Sequence, residues 1–158
     1  MTSSRDEYSL KVRHTPIRDE FFIVSPSTCV KDIAIKLSIG ENVAAAIVVE
    51  DNVPKGIIVK DDILRKAVLI DKEWTALKAV DIMSSPVWTI DADDDFRKVL
   101  DIFVEKCILA VPVVQKKKLI GVCTIFDACK QLYQYSNYID SMLQNIDQFT
   151  PSSTSKGE

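Results

Sequence analysis

The chain has 158 residues, of which 47% are apolar, and a formal net charge of −3 from 23 acidic and 20 Lys/Arg residues. That length suits one compact domain or two small ones sharing a core, the apolar share supports a real core, and the acidic balance argues against general nucleic-acid binding. No apolar run approaches the ~20 residues needed to cross a bilayer, Met1 to Glu7 lacks the apolar stretch of a secretory signal, and Cys29, Cys107, Cys123 and Cys129 form no CxxC pair, so a soluble cytoplasmic protein with reduced thiols is expected.

In chain order, residues 1–11 are polar and expected to be flexible. Phe21 to Val24 reads as a short strand ending at Ser25-Pro26, after which Ser27 or Thr28 can cap a helix with apolar positions Val30, Ile33, Ala34 and Leu37. Gly40 stands where a helix C-cap belongs. Ala44 to Val49 has the small and β-branched composition of a buried strand. Glu50-Asp51-Asn52 supplies turn chemistry, Pro54 to Val59 returns as a strand, and a helix is expected from Lys60 to Ile70. Residues 71–86 form a linker tied to the core through Trp74, Leu77, Val80, Ile82 and Met83. A strand at 87–90, a helix at 94–106, strands at 109–114 and 119–123 around a turn, and a helix from 124 follow. Three of the cysteines lie in apolar, core-like settings within these elements. The last helix carries Ile125, Cys129, Leu132, Ile139, Leu143 and Ile146 at three-to-four spacing. Either this stripe covers the chain's own core, or its distal half from Tyr138 packs against another subunit. Residues 151–158 read as a disordered tail.

The order repeats because the sequence does. Gly56-Ile57-Ile58-Val59-Lys60-Asp61-Asp62 is echoed 65 residues later by Gly121-Val122-Cys123-Thr124-Ile125-Phe126-Asp127, and Ala46-Ile47-Val48-Val49 by Val111-Pro112-Val113-Val114. Each copy must be one folding unit of the same kind. The expected fold is therefore α/β: two β-α-β-β-α repeats, 12–71 and 72–135, followed by a helical extension over 136–150. Three strands with two helices on one face cannot bury the other face of the sheet, whereas two copies packed together can.

Gly-x-x-Thr-x-x-Asp falls at a strand-to-helix junction. Gly121 permits close approach to the backbone, and Thr124 and Asp127 lie beside the free N–H groups of a helix N-terminus, which attract anions. A carboxylate there can accept from both hydroxyls of a ribose while the N–H groups and Thr124 hold a phosphate. The same pair is also nearly a capping box, which needs no ligand. In the first copy Val59 replaces the threonine but Asp62 remains; if Asp61 caps instead, Asp62 is left for a site.

These residues resemble a tandem pair of CBS (cystathionine β-synthase) domains, a Bateman module. The resemblance rests on Asp81-Ile82-Met83-Ser84-Ser85-Pro86, Val111-Pro112-Val113-Val114 and Gly121 to Asp127, and spans about residues 12 to 135 with no attached catalytic domain. It implies a pseudo-twofold pair with two clefts that take adenosyl ligands (AMP, ADP, ATP, S-adenosylmethionine or NAD-type molecules), and association into dimers. It places Thr124, Asp127, Asp62 and Gly121 at ribose and phosphate, with Val59 departing from the pattern, and Pro86, Val87, Ile108, Ala110 and Pro112 at the base. The function implied is regulatory sensing without catalysis and without a cofactor of its own, signalling to an unknown effector protein. A ligand-free dimerisation or scaffold module is the alternative.

Other residues carry less. Lys116-Lys117-Lys118 reads as a solvated turn, and Asp91, Asp93, Asp94 and Asp95 as caps of the helix that follows, not as a metal cluster. A zinc site would need closer ligand spacing, and His14, the only histidine, has no nucleophile beside it. Arg13, His14 and Arg18 precede the first strand and either reach a phosphate or form a loose basic segment, while Lys55, Lys60 and Arg65 flank the first aspartate.

Overall fold

The computed structural model describes residues 10–40, 43–69 and 73–147, with side chains to residue 144. Of residues 1–11, expected to be flexible, residues 1–9 lie outside the described residues, as do Ile70 at the end of the first repeat's last helix, the side chain of Ile146 and the tail 151–158, whereas Leu10 packs on the second repeat's core and its carbonyl accepts from Phe96 N–H at 2.7 Å. Each repeat forms its own three-stranded sheet. In the first, β1 (Phe21–Val24), β2 (Ala45–Glu50) and β3 (Val53–Ile58) lie in that order, and in the second β4 (Ile90–Asp91), β5 (Ala110–Gln115) and β6 (Lys118–Thr124) do the same. The first pair in each sheet is parallel and the second antiparallel, with a bulge at Val48/Val49 and again at Val113/Val114, 65 residues apart. The duplicated sequence thus repeats even its irregularities. Helices α1 (Val30–Ile39) and α4 (Phe96–Lys106) connect the parallel strands.

Strand β2 has no polar face because both its faces are covered. Ala46 and Val48 point to the first repeat's own core, with Val30, Ile33, Leu37 and Ile58, whereas Ala45 and Ile47 point to a second cluster with Ile57, Ala110 and Val122. That second cluster is the seam between the sheets, and Val111 and Val113 face a third cluster around Phe96, Val99 and Phe103. Packing of two sheets through a small apolar seam supplies the burial that a single repeat lacks.

The connecting segments cross over. Val12, fully buried, belongs to the core of the second repeat, while Ala79 and Ile82 of α3 (Ala79–Ile82) belong to the core of the first. The backbone bonds match: Val12 N–H donates to Asp94 O at 3.0 Å and Arg13 N–H to Ala92 O at 2.9 Å, as Ala79 N–H does to Thr28 O at 2.8 Å and Val80 N–H to Pro26 O at 3.0 Å. Each repeat is therefore capped by the segment that leads into the other.

Several local expectations are corrected. Thr28 does not cap α1; its hydroxyl accepts from Ser25 N–H at 3.1 Å, and the helix begins after Cys29 without a side-chain cap. The strand expected at 87–90 shrinks to Ile90–Asp91, because Trp88 and Thr89 remain exposed and only Ile90 and Asp91 pair with β5. The helix expected over 60–70 is α2 (Lys60–Ile63) followed by a π-helical turn, Leu64–Val68. Of the cysteines only Cys123 is buried: Cys107 stands exposed in a left-handed conformation just past α4, Cys129 faces outward, and Cys29 is half-buried. The basic segment is not loose, since Arg13 pairs with Asp93 and His14 Nδ1 accepts from Lys11 N–H at 3.1 Å. Of the four aspartates expected as caps, Asp95 caps α4 by accepting from Arg97 N–H at 2.9 Å, whereas Asp94 accepts from Asp91 N–H at 3.2 Å and Asp91 from Asp93 N–H at 2.9 Å, closing the turn before the helix instead. No group of His, Cys, Asp and Glu among the described residues could hold a metal ion.

The last helix, α5 (Ile125–Asp147), has 23 residues, and among its described side chains only those of the first turn are buried in the body. Ala128 is 1% exposed, but Leu132 is 43% and Leu143 55% exposed. The reading that the whole stripe covers the chain's own core therefore holds only for the first turn, to Ala128. Among the described residues no helix is long and apolar enough to cross a membrane.

Candidate functional site

Each repeat brings an aspartate to a strand-to-helix junction beside the seam. At the second, β6 ends on Thr124 and α5 begins at Ile125. Asp127 is 5% exposed, and its Oδ2 accepts from the Thr124 hydroxyl at 2.5 Å and the Thr124 N–H at 3.1 Å. Asp127 N–H returns to Thr124 Oγ1 at 3.3 Å, completing the reciprocal cap. Arg18, from the strap before the first repeat, donates through Nε to Asp127 Oδ1 at 3.1 Å and Oδ2 at 2.9 Å. Burial pushes the Asp127 carboxyl up, but the Arg18 guanidinium with the Thr124 hydroxyl and N–H outweighs it and holds the group below its ordinary 3.8. The neighbouring Cys123 thiol is pushed up to about 12 by burial, then by the Asp127 charge, and so stays protonated.

Gly121 answers to the same strap. A side chain there would lie 2.4 Å from Ile17 Cγ2 and 2.6 Å from the Arg18 carbonyl oxygen. That close approach lets Arg18 and Val122 exchange backbone bonds of 2.9 and 2.8 Å. At the first junction Gly56 plays the corresponding part, with Met83 against it and Ile57 exchanging bonds of 3.1 and 2.9 Å with Ser84.

Asp62, 9% exposed, accepts from Val59 N–H at 2.9 Å, from Ser84 Oγ at 3.1 Å and from Lys66 Nζ at 2.8 Å. The expectation that Asp61 caps this helix is corrected: Asp61 pairs with Arg65 at 2.8 Å, and Asp62 itself closes the turn, a role that needs only a backbone N–H at position 59. Sequence reasoning missed two partners here. Lys66 was legible in the i, i+4 spacing from Asp62. Ser84 was not, because 22 residues separate it from Asp62 and only the crossing straps join them. Arg18 was noticed as a cation but its partner, 109 residues away, was not visible.

Thr124 pairs with Ala110, and Pro112 pairs with Val122, so Ala110 and Pro112 share the seam side of β5 with the second junction. Val87 packs on the same seam, and Pro86, after a cis peptide bond, is exposed just before it. Ile108 is not brought to them: it packs on the second repeat's own core. Chemically, the second junction offers a desolvated carboxylate, a hydroxyl and a guanidinium within one turn of a helix start. These groups can hold polyhydroxylated and anionic moieties, provided that Arg18 yields its place on Asp127 or turns its charge to the anion. A separate pocket of about 360 Å³ opens at the hairpin end of the seam, lined by Ile23, Val49 and Pro54 together with Val114, Lys117 and Leu119, away from both aspartates.

Residues 79–134 match the CBS domain family model. No curated protein matches the chain by sequence. Among solved structures, a CBS-domain protein from Burkholderia ambifaria is 26% identical, with 77% of this chain and 89% of that one covered and a TM-score of 0.65. CBSX2, solved in complex with AMP, is 22% identical over 80% of this chain and 98% of its own, with a TM-score of 0.61. A hexameric CBS-CP12 protein from bloom-forming cyanobacteria is 23% identical over 76% of this chain and 66% of its own, at 0.67.

Proposed function

Because this is a CBS-domain protein whose two repeats fold as a CBS pair, we propose that it is a regulatory module that binds an adenosyl compound at the seam. The candidate compounds are AMP, ADP, ATP, S-adenosylmethionine and NAD-type molecules, and the module performs no catalysis of its own. Thr124 and Asp127 hold ribose and phosphate, Gly121 sets the strand that carries them, and Val87, Ala110 and Pro112 floor the base, with exposed Pro86 at its edge. Asp62 serves the first cleft, where Val59 offers no hydroxyl. The observation that carries this reading is the recurrence, 65 residues apart, of a buried aspartate at the same strand-to-helix junction beside the same seam. The AMP bound by CBSX2, which shares the fold, supports the adenosyl class. Ligand that binds the latched site must compete with Arg18 for Asp127, so binding shifts the strap and with it the packing of one repeat on the other.

Thermal-shift measurements with each of these compounds at millimolar concentration test the proposal. A ligand present at 100 times its Kd stabilises by about 2.7 kcal/mol, so even micromolar binders register. No shift with any of them sinks it. A second reading has its own observation: every described partner of Asp127 and Asp62 is internal, as in a ligand-free dimerisation or scaffold module. On that reading Asp127→Ala lowers stability equally with and without nucleotide; on the first it also abolishes the ligand-induced shift.

A further inference from the structure

The half of α5 that leaves the body is not a random surface. Leu132, Tyr135, Ile139, Met142 and Ile146 follow each other at intervals of three, four, three and four residues. That is a heptad seam with Leu132, Ile139 and Ile146 at its a positions and Tyr135 and Met142 at its d positions. The same register begins inside the body, where Ile125 and Ala128 pack on the second repeat's core, so one continuous stripe runs from a covered end to an uncovered one. On the uncovered part Leu132 is 43%, Tyr135 42%, Ile139 38% and Met142 44% exposed.

What covers it can be argued from the chain itself. A 3.5-residue spacing matches a second helix of equal spacing better than a globular surface, which takes a broader 3.6-residue face. Positions flanking the seam are Gln131, Ser136, Tyr138, Leu143 and Asn145, none of them charged. Two identical helices therefore meet without like-charge repulsion, whereas a charged partner helix finds no complement. The only charges of this half, Asp140 and Asp147, fall on the side away from the seam by the same count. Residues 148–158 have one large apolar residue, Phe149, and residues 1–9 only Met1 and Tyr8, so neither segment carries a matching stripe.

We propose that the projecting half of α5 is a dimerisation helix, and that its occupant is the same helix of a second copy of this chain in a two-stranded coiled coil. The inference stands independently of what the seam between the repeats binds.

Sedimentation equilibrium of the full chain tests it, run up to roughly 100 μM, above the micromolar range in which modest interfaces associate. The wild type is expected to sediment at twice the chain mass. Ile139→Asp, which puts a charge in the middle of the seam, is expected to weaken association by about 100-fold or more. Asn137→Asp, on the opposite side of the helix, should leave it unchanged. Ile139 lies beyond the packed body, and an unaltered thermal transition of the body shows that the variant still folds. A monomeric wild type overturns the proposal and leaves the stripe to a helix of another protein. A dimer that survives Ile139→Asp, or is lost in Asn137→Asp, overturns it equally, by placing the interface elsewhere.

Discussion

At the scale of single residues, Asp127 bears on both stability and binding. Its charged form is held by Arg18 and Thr124, and its folded carboxyl lies below the ordinary 3.8. A depressed acid stabilises the fold above its unfolded value and loses that contribution as pH falls through the folded one. Asp127→Asn should therefore lose about 1–2 kcal/mol at pH 7, since Arg18 is itself one-third exposed. The gap from wild type should begin to narrow as pH falls below about 4, where the unfolded Asp127 takes up its proton, and should close only as pH falls through the lower folded value. Asp94, lowered by its bond to Lys98, contributes an acid limb of the same sign to both chains and cancels in the difference. Urea unfolding at pH 7 and pH 3 measures this, and a gap independent of pH would contradict the assignment. The motif itself was legible, because Thr-x-x-Asp after a glycine-bearing strand is a local pattern. That Arg18 would occupy the carboxylate was not legible, since no local rule links residues 109 apart.

At the scale of elements, the repeats diverge after their shared junction. The α2 helix lasts one turn and widens into Leu64–Val68, whereas α5 runs on to Asp147. The N-terminal caps differ by one hydroxyl. Thr124→Val, which copies the first repeat into the second, should cost about 1 kcal/mol, because it frees Asp127 N–H and loosens the carboxylate. Val59→Thr should stay within about 0.5 kcal/mol of wild type, because Asp62 already closes its turn on the backbone N–H and Val59 packs on the seam. Thermal denaturation of both variants checks the asymmetry, and equal effects would refute it. The hairpins converge instead. Asp51-Asn52 and Lys116-Lys117 all have positive φ, giving the same two-residue turn from different chemistry. Asp and Asn announce such a turn; Lys does not, and only its position in the repeat did.

At the scale of the whole molecule, the crossing straps make two repeats into one body. Each glycine of the echoed motif admits a strap, but against different obstacles. Gly121→Ala would drive a methyl into the Arg18 carbonyl, backbone that is itself bonded to Val122, and should cost about 3 kcal/mol. Gly56→Ala meets the flexible Met83 side chain and should cost about half as much. Unfolding midpoints of the two variants decide it; a larger loss at Gly56 would mean that the straps are not equivalent in the way described. By itself the sequence determined the duplication, the β-α-β-β-α unit, the helix α4 with an aspartate at its cap and the aspartate at each junction. All of these follow from local pattern and from repetition, which short-range physics can read. Only the tertiary structure decided that Val12 completes the second core and Ala79 and Ile82 the first, that Arg18 and Ser84 reach the aspartates of the opposite repeats, and that α5 leaves the body after Ala128. Those outcomes depend on which surfaces remain unburied once both sheets have met, and that quantity exists only in the assembled fold.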